Sequence, residues 1–428
     1  MTTGSRLHEP ALTMIGIDYR SASLATREQV AIADSALPQA LEQLREIAAE
    51  SFILSTCNRT EIYALIDNPA PALDLERFLT AFHQLPESHI QDVVYSKSGE
   101  QLVDHLFRVS SGLNSMMLGE PHILAQLRIA FDAARTAGTL GPLLSRTGEA
   151  ALRVGKRART ETGIARGSSI PHAATATVLE TLGSDISETK IVIAGAGQMA
   201  GHVARLLRSA GVANLVIFNR TRRHAEALAH AVGGRSGSLD ALSAELIDAS
   251  AVISAISIPD RLLIEHSEPS IPRLLIDLGV PRSIEPAFRD REEIRLVDID
   301  DLGHSMTPES PTRDADIAAI NRMVEHEVEN LSVWIDERAV ATTIASIREQ
   351  SEAIRVSELQ RALKRLGALN ERERNIVEAL SVGLVGKLLH QPVTRLKTER
   401  GDLAAAAQRL FGVAGHEGLR VETTGEAQ

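Results

Sequence analysis

The chain has 428 residues, 44% of them hydrophobic and 24% charged, which excludes a peptide or a disulfide-stapled scaffold and leaves room for two to four domains. With 45 Lys and Arg against 56 Asp and Glu the net charge is -11, so indiscriminate binding to DNA is not expected, and any RNA contact needs a local basic patch. Cys57 is the single cysteine, which excludes an intrachain disulfide, and no apolar run reaches the roughly 20 residues of a membrane span.

Residues 1–10 lack the apolar core of a signal peptide, and with the lone thiol this sets the expectation of a cytoplasmic protein. A strand is predicted at 12–17, an amphipathic helix at 37–47, and strands at 52–54 and 62–66. Helices follow at 101–109 and 123–134, with Gly112, Gly119 and Pro121 punctuating the polar connection between them. Arg146, Arg153 and Arg157 fall at helical spacing with Lys156, Arg159 and Arg166 nearby, a candidate basic face for RNA or simply a solvated helix. Aromatic residues make up 3% of the chain, which disfavours a base-stacking platform.

From residue 190 the pattern changes to short apolar runs at 191–194, 215–218, 251–256, 274–278 and 296–299, separated by helical segments: a parallel sheet with crossover helices. The first run leads into Gly195-Ala196-Gly197-Gln198-Met199-Ala200, a glycine turn opening a helix. Gly195 permits the turn, Gly197 lets the backbone approach a pyrophosphate, and Ala200 allows close helix packing. The second run ends not in an acidic residue for ribose hydroxyls but in Asn219-Arg220-Thr221-Arg222-Arg223, which suits a 2′-phosphate and predicts NADPH over NADH. After Pro311 neither Gly nor Pro recurs until Gly367, while Ile317, Ile320, Val324, Val328, Leu331 and Ile335 keep a helical rhythm. A helix filling that interval approaches roughly 80 Å, a length usually supported by another chain or by several domains. Beyond Phe411 a polar, frayed tail is expected.

An isolated cysteine is ordinarily a small buried hydrophobe. Cys57, however, sits in the polar cluster Ser55-Thr56-Cys57-Asn58-Arg59 between two strand patterns, where Arg59 would favour the nucleophilic thiolate. A nucleophilic thiol beside a hydride donor suggests capture of an acyl group as a thioester and its reduction to an aldehyde.

Ser55-Thr56-Cys57-Asn58-Arg59-Thr60-Glu61 resembles the active-site signature of glutamyl-tRNA reductases. The resemblance continues through Ser111-Gly112-Leu113-Asn114-Ser115, Gly119-Glu120-Pro121 with Gln126, Gly195-Ala196-Gly197, Asn219-Arg220-Thr221, Asp277-Leu278-Gly279-Val280-Pro281-Arg282, 298–302 and Lys387-Leu388-Leu389-His390-Gln391-Pro392, nearly the whole chain. It implies an α/β multidomain protein with three parts: an α/β N-terminal catalytic and tRNA-recognition domain at 1–160, a Rossmann-type NADPH domain at 161–308, and a long-helix dimerisation domain at 309–428. It implies NADPH-dependent reduction of glutamyl-tRNA to glutamate-1-semialdehyde, the first committed step of tetrapyrrole synthesis from glutamate.

By the same resemblance Cys57 is the nucleophile, and His105 donates a proton to the departing ribose oxygen or orients the reacting group. Thr56, Asn58, Arg59, Ser115, Glu120, Pro121, His122 and Gln126 occupy substrate-binding positions, with Arg59 expected to clamp the glutamate carboxylate or else to form an ion pair with Glu61. Gly195, Ala196, Gly197, Gln198, Met199, Ala200, Asn219, Arg220 and Thr221 would hold NADPH. No metal and no membrane are expected; the implied partners are a second copy of the chain, tRNA, and the aminotransferase that consumes glutamate-1-semialdehyde. Two departures stand out: His122 replaces the family's usual Gln, and Pro171 within 166–174 replaces a valine-rich run and is expected to alter the backbone locally. Two rivals remain, a shikimate-type dehydrogenase that would not need Cys57 and a non-catalytic relative that keeps only tRNA or partner binding.

Overall fold

The computed structural model describes residues 11–68, 70–165, 169–183, 186–237, 242–246, 249–256, 274–304, 311–367, 369–398 and 403–413. Residues 1–10, Arg166 and the tail beyond Val413 lie outside the described residues. The chain runs β1 (Ala11–Asp18), α1 (Leu24–Val30), α2 (Leu37–Leu44), β2 (Glu50–Ser55), β3 (Arg59–Ile66), α3 (Pro71–Phe82), β4 (Tyr95–Ser98), α4 (Gly99–Ser111), α5 (Ile123–Ala137), α6 (Pro142–Glu161) and α7 (Ile170–Leu182). These are followed by β5 (Lys190–Ala194), α8 (Gln198–Ser209), β6 (Asn214–Phe218), α9 (Arg222–Val232), β7 (Arg235–Gly237), α10 (Leu242–Leu246), β8 (Ala251–Ser254), β9 (Leu274–Asp277), β10 (Arg295–Asp298) and α11 (Ile299–His304). Three helices close the described chain: α12 (Pro311–Leu366), α13 (Glu371–Thr398) and α14 (Leu403–Phe411).

The first sheet is antiparallel, in the order β2-β3-β1-β4. Its central strand β3 is buried at every position, whereas the edge strand β4 alternates half-buried and exposed residues. Phe52 of β2 stacks on Tyr63 of β3 with ring centroids 4.4 Å apart, and Phe131 of α5 closes on Phe52 at 4.7 Å. This core also takes in Ile320, Val324, Val328, Leu331 and Ile335 of α12. The helical rhythm read after Pro311 is therefore satisfied within the chain, by packing against α4 and α6.

The second sheet is parallel throughout, in the order β10-β9-β8-β5-β6-β7. Counted from its own first strand, this is the 3-2-1-4-5-6 order of the Rossmann dinucleotide-binding fold, whose switch point lies between β5 and β8. Buried Ile191, Ile193, Leu215, Ile217, Ile253 and Ile276 form one face of that layer, and α7 and α8 pack on it. Pro171 falls in the first turn of α7, where a missing N–H costs nothing, so the local distortion expected of it does not occur. Gly367, at φ +75°, ends the 56-residue helix α12, and α13 folds back along it. Among the described residues no helix is long and apolar enough to cross a membrane.

Candidate active site

Cys57 occupies the tight turn between β2 and β3. The turn closes through a hydrogen bond from Thr56 N to Arg59 O at 2.8 Å, and the Thr56 hydroxyl accepts from the backbone N–H of Asn58 and Arg59 at 3.1 and 3.2 Å. Thr56, expected at the substrate, thus builds the turn that displays the thiol. Asn58 is buried and accepts through Oδ1 from Arg27 Nη1 at 3.3 Å, while Arg27 Nη1 also donates to Cys57 O at 3.1 Å. Cys57 as a residue is half-buried, with its thiol group withdrawn from water. Burial, and after it the Glu120 carboxylate, push the thiol up to about 12, against the opposing pull of the Arg27 and Arg59 guanidiniums.

Behind the turn lies a buried charge network centred on Glu61, which is fully buried. Its Oε1 accepts from Arg59 Nη1 at 2.6 Å, His105 Nε2 at 2.9 Å and the Tyr95 hydroxyl at 2.8 Å, and its Oε2 accepts from the Tyr63 hydroxyl at 2.7 Å. Burial pushes this carboxyl upward, but Arg59, His105 and the hydrogen bonds overcome it and hold Glu61 well below the usual carboxylate range. Arg59 also donates to Asn114 O. Of the two roles weighed for Arg59, the ion pair with Glu61 is the one present, and its Nη1 and Nη2 each already serve an internal acceptor. His105 spends Nε2 on Glu61, and its Nδ1 faces the Asn114 amide nitrogen at 3.4 Å.

The segment after α4 supplies the far wall. Gly112 N donates to Val109 O to end α4, and Gly119 N donates back to Gly112 O at 3.0 Å, folding 112–119 into a compact loop. Ser115 and Glu120 are buried there, Pro121 is exposed, and His122 and Gln126 are half-buried. Burial raises the Glu120 carboxyl, with Arg59 and Arg159 opposing. The His122 ring lies 5.1 Å from that of His202 on α8, which carries this loop up to the dinucleotide helix.

On the nucleotide side, Gly195 has φ +118°, and a Cβ there would come 2.7 Å from Ala255 O just past β8, so only glycine fits this turn between β5 and α8. Gly197 is the opposite case: exposed, at the N-cap of α8, with nothing within 4 Å of where its Cβ would stand. That open cradle at a helix N-terminus fits a pyrophosphate. Beyond β6, Arg220, Thr221, Arg222 and Arg223 are exposed and Asn219 is half-buried, with no carboxylate at the strand end; Arg222 pairs with Glu226 at 2.8 Å. The residues present therefore fit a nicotinamide dinucleotide. Cys57 packs against the core cluster of the nucleotide domain, the cluster on which Ala196, Met199 and Ala255 also pack. Among the described residues no His, Cys, Asp and Glu cluster is suited to a metal.

The basic face is not the open patch that its spacing suggests. Arg153 pairs with Glu327 at 2.7 Å, Arg146 lies 5.7 Å over the Trp334 ring, and Arg157 pairs with Glu161 at 2.8 Å. Arg159 turns inward to Ser110 O, Gly155 O and Glu120 O. Arg146 and Arg153 thus reach α12 and Arg159 the Glu120 loop, while Lys156 stays exposed and Arg157 pairs within α6.

A parallel sheet in the Rossmann order with a glycine turn opening α8 defines the class: an oxidoreductase with a dinucleotide-binding domain. Comparison with known proteins narrows it. Residues 15–162 match the N-terminal domain of glutamyl-tRNA(Glu) reductase, 177–305 match the shikimate/quinate 5-dehydrogenase domain, which supports a nicotinamide cofactor, and 319–413 match the glutamyl-tRNA(Glu) reductase dimerisation domain. The glutamyl-tRNA reductase of Moorella thermoacetica is 36% identical over 92% of this chain and 93% of its own, and that of Herpetosiphon aurantiacus is 36% identical over 94% and 98%. The solved glutamyl-tRNA reductase of Methanopyrus kandleri is 28% identical, with a TM-score of 0.53 over 94% of this chain and 99% of that one. The chain belongs to the glutamyl-tRNA reductase family.

Proposed function

We propose that this protein reduces glutamate esterified to its tRNA to glutamate-1-semialdehyde, using NADPH and a thioester on Cys57. The observation that carries the reading is the position of Cys57, presented on the β2–β3 turn of one domain and packed against the hydrophobic core of the nucleotide domain. The sulfur attacks the ester carbonyl carbon, the ribose oxygen leaves with the electron pair and takes a proton, and the glutamyl group stays on sulfur. When bound, the nicotinamide supplies the hydride that converts this thioester to aldehyde and returns the sulfur as thiolate. Gly195, Ala196, Gly197, Gln198, Met199 and Ala200 would hold the pyrophosphate, and Asn219, Arg220 and Thr221 the 2′-phosphate ribose.

Thr56 and Asn58 shape the thiol turn, and Glu61 and His105 fix Arg59, whose remaining N–H groups are proposed to meet the substrate carboxylate. Ser115, Glu120, Pro121, His122 and Gln126 line the side from which the ester would enter. His105 acts by orienting, since Nε2 is engaged with Glu61 and Nδ1 faces Asn114. Exposed Ile354, Ile376, Leu380, Leu384 and Leu388 on α12 and α13 suit burial against a second copy, giving the homodimer. The lone thiol suits a reducing cytoplasm, and a reactive aldehyde product makes the aminotransferase that consumes it a natural partner.

The test is intact-mass analysis after mixing with glutamyl-tRNA in the absence of NADPH. A glutamyl adduct on Cys57 that NADPH discharges is expected; no adduct, or an adduct retained by Cys57→Ser, overturns the reading.

A further inference from the structure

We infer that Arg27 and Glu28, neighbours on α1, are positioning residues that latch the nucleotide domain over Cys57, so that breaking the latch spares capture of substrate on sulfur and impairs its reduction. The half-reactions named here rest on the function proposed above; the latch itself rests on contacts.

Helix α1 belongs in sequence to the N-terminal domain, yet its Leu24 is buried in the core cluster of the nucleotide domain. One turn on, Arg27 is 3% exposed and touches both sides of the seam: Nη1 donates to Cys57 O and Asn58 Oδ1, and Nη2 to Asp300 Oδ1 of α11 at 2.5 Å. A single guanidinium thus ties the thiol turn to the nucleotide domain. Glu28 reaches the same domain with the opposite sign, accepting from Arg282 N, Nε and Nη2 at 2.5, 2.9 and 3.0 Å.

The receiving surfaces are themselves fixed. Asp277 accepts from the backbone N–H of Gly279, Ser283 and Ile284 and from the Ser283 hydroxyl, shaping the loop that carries Arg282. On α11, Gly303 lies so close to Met116 that a Cβ would stand 2.5 Å from its sulfur, so the seam is tightly fitted beside Asp300.

Alternation of sign makes the seam selective. In the docked pose Arg27 meets Asp300 and Glu28 meets Arg282; a pose that exchanged those partners would set Arg27 against Arg282 and Glu28 against Asp300. These pairs are largely withdrawn from water, so removing one partner leaves a poorly solvated charge, unlike the weak exchange at exposed pairs. Glu28 bonds to Arg282 and not to the thiol turn, so that half of the latch can be broken without touching the turn, whereas Asp300 reaches it through Arg27.

Three variants test this: Glu28→Arg, the swap Glu28→Arg with Arg282→Glu, and Asp300→Arg. Two deciding readouts are taken, Cys57 alkylation by iodoacetamide without any nucleotide and NADPH discharge of a preformed glutamyl adduct, with the rate of adduct formation as a control. Each single variant is expected to alkylate at least fivefold faster, to form the adduct normally, and to discharge it at least tenfold more slowly; the swap is expected to move both readouts back toward wild type. Unchanged alkylation and discharge in both single variants, or a swap no better than Glu28→Arg alone, overturns the latch. If wild type forms no adduct, the proposed reaction fails, and alkylation still decides the latch. Should Glu28→Arg not fold, Asp300→Arg carries the same comparison.

Discussion

His105 Nε2 lies 2.9 Å from Glu61 Oε1, with both residues buried. A carboxylate only accepts, so this bond puts a proton on Nε2 and fixes the ring plane. Arg59 Nη1 shares that same oxygen at 2.6 Å, which makes Glu61 the common anchor of the guanidinium beside the thiol and of the imidazole behind it.

Removing the anchor should cost more than removing any surface pair. Glu61→Ala strands Arg59, 2% exposed, as a buried cation, and about 3 to 5 kcal/mol of stability should be lost in urea denaturation. Because Glu61 is held well below its unfolded value of about 4.3, its contribution is complete above that pH and drains away as pH falls through the folded pKa. The gap between wild type and Glu61→Ala should therefore narrow on going from pH 7 to pH 3. A gap that stays constant across that range would show that folding leaves the Glu61 pKa unchanged, and one that widens toward pH 3 would show that the carboxyl is protonated in the folded protein.

The thiol should titrate late. With burial and then Glu120 pushing Cys57 up to about 12, alkylation should rise about tenfold per pH unit from 7 to 10, with no plateau near the free-cysteine value of about 8.5. Glu120 raises the thiol, so Glu120→Gln should lower it and speed alkylation at any fixed pH in that window, tenfold for each unit of fall. Slower alkylation in Glu120→Gln contradicts the placement of that carboxylate beside the sulfur.

The proposed preference for NADPH places the 2′-phosphate on the exposed arginines after β6. The double substitution Arg220→Ala with Arg223→Ala should weaken NADPH by at least about tenfold, the loss of one or two charge-assisted bonds to phosphate, while NADH changes little. Equal weakening of both nucleotides in a fluorescence titration would assign these side chains to the pyrophosphate or to surface charge instead.

Sequence periodicity revealed much of this architecture, and the gaps have physical causes. The apolar runs from 191 to 299 became β5, β6, β8, β9 and β10 because parallel strands covered on both faces must be continuously hydrophobic. Strand β7, Arg235-Ser236-Gly237, is a polar edge with no such signature, and β4 alternates too weakly to stand out. Helix α12 was legible from the Gly- and Pro-free interval, and of the two supports expected for it, another chain or several domains, the rhythm at 317–335 uses the second by burying against α4 and α6. At the site, Cys57 was readable from its polar neighbours and the family motif. Arg27 was not, because its meaning is a contact with Asp300, 273 positions away, and Glu61 was legible only as a possible partner of Arg59, not as the acceptor of four converging donors.

The two glycines of the nucleotide turn separate folding from binding. Gly195→Ala forces a β-carbon toward Ala255 O at 2.7 Å, and φ +118° is a conformation that alanine rarely adopts, so the turn must shift. Gly195 N also donates to Phe218 O at 2.6 Å, so the shift would pull on the link between β5 and β6, and thermal stability should fall with or without nucleotide. Gly197→Ala meets no protein atom within 4 Å, and its φ of -77° suits any residue, so its melting temperature should match wild type. The added methyl would instead occupy the space assigned to the pyrophosphate and weaken NADPH by roughly tenfold or more, the cost of displacing one close charge-assisted contact. Thermal denaturation alongside equilibrium binding reads both effects. If Gly197→Ala bound NADPH as tightly as wild type, the pyrophosphate would not sit at this helix N-terminus, and the nucleotide would have to enter the Rossmann domain by another face.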